Sequence, residues 1–130
     1  MIADDSDPLR RSLREAIESN PAWQVCGEAV NGAEAVEMAK KLNPDLVILD
    51  LAMPVMNGLD AAERLSWEMP HVPLLLCTLY ATNGLVPHAR MVGVSGLISK
   101  AAGLDGNLTA AIRAVADGKQ FFPTGLDDED

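Results

Sequence analysis

Two stretches of this chain, Leu46-Val47-Ile48-Leu49 and Val72 to Cys77, run apolar from residue to residue without the alternation of a half-exposed strand. A strand that is apolar on both faces has to be covered on both faces, which confines it to a parallel sheet layered between helices. The segments between such runs carry helical spacing. Asp7-Pro8 reads as N-cap and first helical position, and Leu9, Leu13, Ala16 and Ile17 follow on one stripe. Trp23 to Ala29 is expected as strand two. Asn31 then caps a second helix, with Glu34 three residues on, Val36, Ala39 and Leu42 facing inward, and Asn43-Pro44 as its stop. Strand three is expected over Asp45 to Asp50, a helix from Gly58 to about Glu68, and strand four over Val72 to Cys77. A short helix from about Gly84 to Val92, a strand from Val94 to Ser99, and a helix striped by Leu104, Leu108, Ala111, Ile112 and Val115 and ended by Gly118 complete the chain. With Met1-Ile2-Ala3 as the first strand, the pattern predicts an α/β fold of five strands and five helices.

The 130 residues suit one domain with a core of its own. A formal charge of −9, with no cluster of Lys or Arg, argues against direct contact with nucleic acid or an anionic membrane. Cys26 and Cys77 lie in strand-like segments without CxxC spacing, so both are expected as small buried hydrophobes in a reducing compartment. The longest apolar run, Pro73 to Ala81, is too short to span a bilayer, and the expectation is a soluble cytoplasmic protein. The acidic stretch from Gly125 to Asp130 reads as a frayed or linker end, so residues 1–120 are expected as the domain and 121–130 as a tail or the start of a linker.

In a sheet of this kind ligands bind beyond the carboxyl ends of the strands, where the winding reverses. Asp4-Asp5, Asp50, Thr78 and Lys100 all fall at such ends. Taken singly, each has an ordinary reading: a turn or capping acid, a β-branched strand residue, a solvated lysine. Together they supply what transfer of a phosphoryl group onto a carboxylate requires. Three carboxylates at neighbouring strand ends repel one another, and a hard divalent cation bound through oxygen relieves that repulsion. Asp50 is the candidate nucleophile. Asp5 and Asp50 would hold Mg²⁺ directly, Asp4 mainly through water, and the Ala52 carbonyl would add an oxygen. Lys100 would pair with Asp50 at rest and with phosphate afterwards, and the Thr78 hydroxyl would take another phosphate oxygen.

Ile2-Ala3-Asp4-Asp5, Val47-Ile48-Leu49-Asp50-Leu51 with Met53-Pro54 and Gly58, Thr78 after an apolar strand, and Gly96-Leu97-Ile98-Ser99-Lys100 together resemble a response-regulator receiver domain over nearly the whole chain. Val25-Cys26-Gly27-Glu28-Ala29, Asn31-Gly32 and Ala111 to Gly118 are most similar to its NarL/FixJ (LuxR-type) branch. The resemblance implies a CheY-like sheet in the order 2-1-3-4-5, phosphorylation of Asp50 by a histidine kinase or phosphotransfer protein, and dependence on Mg²⁺. It further implies a two-state surface around the fourth helix and fifth strand, with Thr78 drawn toward the phosphate on phosphorylation. Transcriptional output would come through a DNA-binding domain outside this chain; the alternative is a stand-alone receiver acting in a phosphorelay. A homodimer through helices one and five, or four and five, is a further expectation.

The chain departs from the family pattern in three places. Leu97 stands where relatives usually carry a Tyr or Phe switch, with Tyr80 as an alternative for that role. Ala101 follows Lys100 where many relatives have Pro, so no cis peptide is expected there. Only three residues precede Asp4, so that either Met1 is not the native start or the first strand is shortened.

Two rival readings remain. A haloacid-dehalogenase-type phosphatase also uses a strand-end Asp with Mg²⁺ but resembles DxD, and the second acid of that motif is replaced here by Ala52. A phosphorylation-independent interaction module is weakened by Asp5, Asp50, Thr78 and Lys100 all being present. Met53, Met56, Met69 and Met91 read as packing residues, and His71 and His88 lack metal-ligand spacing. Trp23 and Trp67 are expected to pack or make surface contacts, and Phe121-Phe122-Pro123 to pack the chain end or else dock an adjoining domain.

Overall fold

A computed structural model describes residues 1–79, 81–82, 84–100 and 105–122, with side chains of the last segment from 107 onward. Tyr80, the Lys100–Ala101 peptide, Leu104 and the stretch after Phe122 lie outside the described residues. In chain order the elements are β1 (Ile2–Ala3), α1 (Asp7–Glu18), β2 (Glu28–Ala29), α2 (Gly32–Leu42), β3 (Val47–Leu49), α3 (Gly58–Glu68), β4 (Leu74–Thr78), α4 (Leu85–Met91), β5 (Gly96–Ser99) and α5 (Asp105–Ala116). All strand pairs are parallel, in the order β2-β1-β3-β4-β5.

Because successive strand residues point to opposite faces, each apolar run divides its side chains between two cores. Ile2, Ile48, Leu75, Cys77 and Ile98 pack with Leu13 and Ile17 of α1 and with Leu108, Ala111, Ile112 and Val115 of α5. Ala3, Val47, Leu49, Leu74, Leu76 and Leu97 pack on the other face with small or aliphatic residues of α2, α3 and α4. The helix caps are local. Asn31 Oδ1 accepts the amide of Glu34 at 2.8 Å while Glu34 Oε1 accepts the amide of Val30 at 3.0 Å, a reciprocal pair that fixes the start of α2. Asn43 ends that helix in the left-handed conformation at φ 51°. The first helix differs from expectation by one residue. Ser6, not Asp7, is its N-cap and accepts the Leu9 amide at 3.3 Å, leaving Asp7 as an acid in the first turn.

The expected strands are all present but shorter, and β2 is the extreme case. Only Glu28 and Ala29 of the expected 23–29 run join the ladder, where they pair with Ile2 and Ala3 of β1. The Met1 ammonium occupies the place of a strand amide, donating to the Leu46 carbonyl at 2.9 Å. Burial holds its pKa below the ordinary 8.0, despite the nearby Cys26 and Asp45. Beyond Met1 lies a cavity of about 600 Å³ lined in part by Trp23, Val25, Leu46 and Ile112. Cys26 also borders it and is exposed, against expectation; Cys77 is buried as expected. Trp23 packs beside the α1–α5 core, whereas Trp67 is 82% exposed. No helix among the described residues is long and apolar enough to cross a membrane.

The chain end adds a rung to the sheet. Phe121 bridges to Gly96 in parallel, receiving the Leu97 amide and giving its own to Ser95, both at 2.9 Å. Phe122 packs against the α2–α4 core, with the Arg90 guanidinium 4.5 Å from its ring centre.

Two apolar residues added before Met1 would extend β1 between β2 and β3, and each new rung is expected to contribute about 1 kcal/mol. The addition also removes a buried cationic end. An amine whose folded pKa is depressed binds its proton more readily in the unfolded chain, so stability rises with pH up to about the ordinary value of 8.0. Thermal denaturation across this range should show a higher Tm in the extended chain and a flatter rise with pH.

Candidate functional site

The acids gather where the strands end. Asp4 follows β1 and Asp50 follows β3, and the Asp50 amide donates to the Ala3 carbonyl at 2.9 Å, so backbone pairing sets the two side by side. One carboxylate oxygen each from Asp4, Asp5 and Asp50 lies within 4.8 Å of the other two. Asp4 is 1% exposed and Asp50 7%, whereas Asp5 is exposed. Lys100, immediately after β5, reaches across to them. Its Nζ hydrogen-bonds Asp4 Oδ2 and sits 3.3 Å from Asp50 Oδ1. The lysine that sequence reasoning paired with Asp50 therefore bridges two acids, with its hydrogen bond to Asp4. Thr78 ends β4, is fully buried, and lies in register with Ser99, next to Lys100.

Electrostatics follow from this packing. Burial raises the pKa of Asp50 above its ordinary 3.8; the Lys100 charge opposes the shift and the Asp4 charge adds to it. Burial pulls Lys100 down, but its hydrogen bond to Asp4 and the charges of Asp50 and Asp4 outweigh that, and its pKa is raised. The Cys77 thiol, one residue before Thr78, is pushed up to about 12 by burial and stays protonated and unreactive.

The loop after Asp50 is held by close backbone contacts. Gly58 donates to the Leu51 carbonyl and Gly32 to the Met56 carbonyl, both at 2.9 Å. A Cβ on Gly58 would lie 2.1 Å from the Asp50 carbonyl oxygen, and one on Gly32 would lie 2.3 Å from that of Met56. Met53 anchors the loop in the core, and Asn57 caps α3 by accepting the Asp60 amide at 2.9 Å. Between them Val55 is 82% exposed at φ 69°, a left-handed conformation strained for a β-branched residue. Ala52, the expected carbonyl ligand, is exposed in the same loop.

Two contributors carry no motif signal. The Ser6 amide donates to Asp4 Oδ1 at 2.9 Å, and Arg10 Nη1 donates to the Asp4 carbonyl at 2.7 Å. The spacing offers one clue to Arg10: it lies in the first turns of the helix that begins just after Asp4-Asp5, where a long side chain can reach back to the strand end.

Comparison with known proteins gives a consistent result. The family model described as "Response regulator receiver domain" matches residues 1–113. The transcriptional regulatory protein LnrK of Bacillus subtilis (strain 168) is 32% identical over 126 residues, which is 97% of this chain and 57% of that one. The chain thus spans little more than half the length of that relative. Among solved structures, a two-component response regulator of the LuxR family from Aurantimonas sp. SI85-9A1 superposes with a TM-score of 0.86 at 27% identity, covering 93% of this chain and 86% of that one. The response regulator domain of Thermotoga maritima CheB gives a TM-score of 0.83 at 26% identity, covering 89% and 93%.

An acid whose pKa is raised in the folded state contributes stability below its unfolded value and loses it as pH rises through the folded one. Asp50→Asn should therefore be more stable than the parent at neutral pH, with a Tm higher by a few degrees, and the difference should vanish below about pH 3.8. Gly58→Ala should cost about 1–3 kcal/mol in urea denaturation, because backbone rather than a flexible side chain fills the space.

Proposed function

The chain belongs to the response regulator receiver domain family, and from that premise we propose that Asp50 accepts a phosphoryl group from a phosphohistidine on a histidine kinase or phosphotransfer protein. The single observation that carries this reading is the convergence of the Asp4, Asp5 and Asp50 carboxylates, within 4.8 Å of one another, with the Lys100 ammonium set against Asp4 and Asp50. An Asp50 oxygen attacks phosphorus, the P–N bond breaks, and its electron pair returns to the donor imidazole. Lys100 shifts from the carboxylates to the new phosphate oxygens. The Thr78 hydroxyl donates to another of them, which draws the end of β4 toward the pocket.

The donor set fits Mg²⁺: all the candidate ligands are oxygens, two of the acids are buried and one faces solvent. Asp5 and Asp50 would hold the ion directly, with the Ala52 carbonyl. Asp4, whose two oxygens already accept from Ser6 and Lys100, would act through water. When bound, Mg²⁺ supplies positive charge shared between Asp50 and the phosphate oxygens.

Residues 1–120 would form the receiver unit, acting in the cytoplasm, with a linker following. The surface of α4 and β5 would be read by an output element. The full-length transcriptional regulatory relative supports transcriptional output from a domain beyond this chain. Ala52 in place of a second acid supports a phosphoacceptor over a phosphatase that turns over external esters.

Incubation with acetyl phosphate and Mg²⁺ should add the mass of one phosphoryl group to the intact chain, and Asp50→Asn should gain none. An acyl phosphate retained in Asp50→Asn would overturn the assignment.

A further inference from the structure

We propose that Arg10 is a positioning residue for the cation site: its guanidinium fixes the Asp4–Asp5 peptide and thereby the relative aim of the two carboxylates. The inference rests on the reading of Asp4, Asp5 and Asp50 as a Mg²⁺ site and assigns a role to a residue outside that set.

The Asp4 carbonyl, which accepts from Arg10 Nη1 at 2.7 Å, belongs to the peptide that joins the two acids. Asp4 is otherwise well held: its amide donates to Ala29 at 3.0 Å, and its two carboxylate oxygens accept from Ser6 and Lys100. Asp5 is different. Among the described residues its exposed side chain has no hydrogen bond or ion pair, so its direction depends on the backbone plane that Arg10 grips.

The guanidinium is itself anchored on two further sides. Nε donates to Glu28 Oε1 at 3.1 Å, on the neighbouring edge strand, and Nη2 donates to Asp7 in the first turn of α1. Glu28 is steadied in turn by Arg14 Nε at 2.7 Å. The Arg10 side chain is 13% exposed, and its pKa is raised because its bonds and charge pairing with Asp7 and Glu28 exceed the penalty of burial. Arg10 and Arg14 face Asp7, Glu28 and, at 4.0 Å, Glu18, so the cluster leaves no excess positive charge. Arg10 therefore acts on the acidic pocket through geometry rather than by neutralising it. Three acceptors in three directions require a planar fork, which a lysine ammonium cannot replace.

Calorimetric titration of Mg²⁺ into the full chain, with melting curves recorded in EDTA, tests this. Arg10→Lys, which keeps the charge, is expected to weaken Mg²⁺ affinity about tenfold, the range found when partners of metal ligands are removed. Glu28→Gln, which loosens one anchor, should weaken it less, and should add nothing when Arg10 is already Lys. A lower Tm in EDTA with unchanged affinity in Arg10→Lys would overturn the proposal, since a merely structural arginine behaves that way. If Arg10→Lys does not fold, unchanged affinity in Glu28→Gln overturns it instead. A parent chain that takes up no Mg²⁺ would bring down the cation site itself, a result distinct from equal binding by parent and variants.

Discussion

Repulsion among three carboxylates at adjacent strand ends is the constraint to which the upper half of this molecule answers. At the spacing within the cluster, a pair of such charges repels by on the order of 3–4 kcal/mol at an effective protein dielectric near 20. Lys100 offsets part of this by standing between Asp4 and Asp50, the two acids removed from water. One ammonium against three acids leaves the pocket negative, with Asp5 turned to solvent as the natural point of entry for a cation. Folding thus holds Asp50 out of water beside a like charge: burial raises its pKa first, and the Asp4 charge adds to the shift against the opposing charge of Lys100.

That tension can persist because the backbone around it has little freedom. The Gly32 and Gly58 contacts wrap the loop after Asp50 so tightly that neither position has room for a methyl group. Val55 keeps a left-handed backbone at the crest of that loop although a glycine would adopt it at lower cost. Leu97 is fully buried among the residues facing α2 to α4.

The continuous apolar runs were enough to read the parallel sheet, its covering on both faces and most of the core, because period-two and helical spacing act within one segment. Asn31 and Asn43 could be read for the same reason: a cap is a contact between near neighbours in sequence. The gathering of Asp4, Asp5, Asp50 and Lys100 was legible because strand ends in such a sheet share one edge. The contraction of β2 was not, since it depends on how far a different strand extends. Cys26 was misplaced with it: a side chain on an apolar segment is buried only where another layer covers it. Arg10 escaped notice because its three acceptors come from separate parts of the chain, and no local spacing connects them.

The rung formed by Phe121 fixes where the polypeptide departs from the sheet. Its hydrogen bonds reach Ser95 and Leu97, at the start of β5, whereas Lys100 lies just past the other end of that strand. Gly96 makes the close approach possible, with the Phe121 carbonyl 3.0 Å from where a Cβ would stand. β5 is therefore a taut rod of four residues, about 13 Å long, fastened at one pole to the ammonium that feels the pocket's charge and at the other to the departing backbone. The acidic pocket and the Phe121 rung thus sit at opposite ends of one four-residue strand.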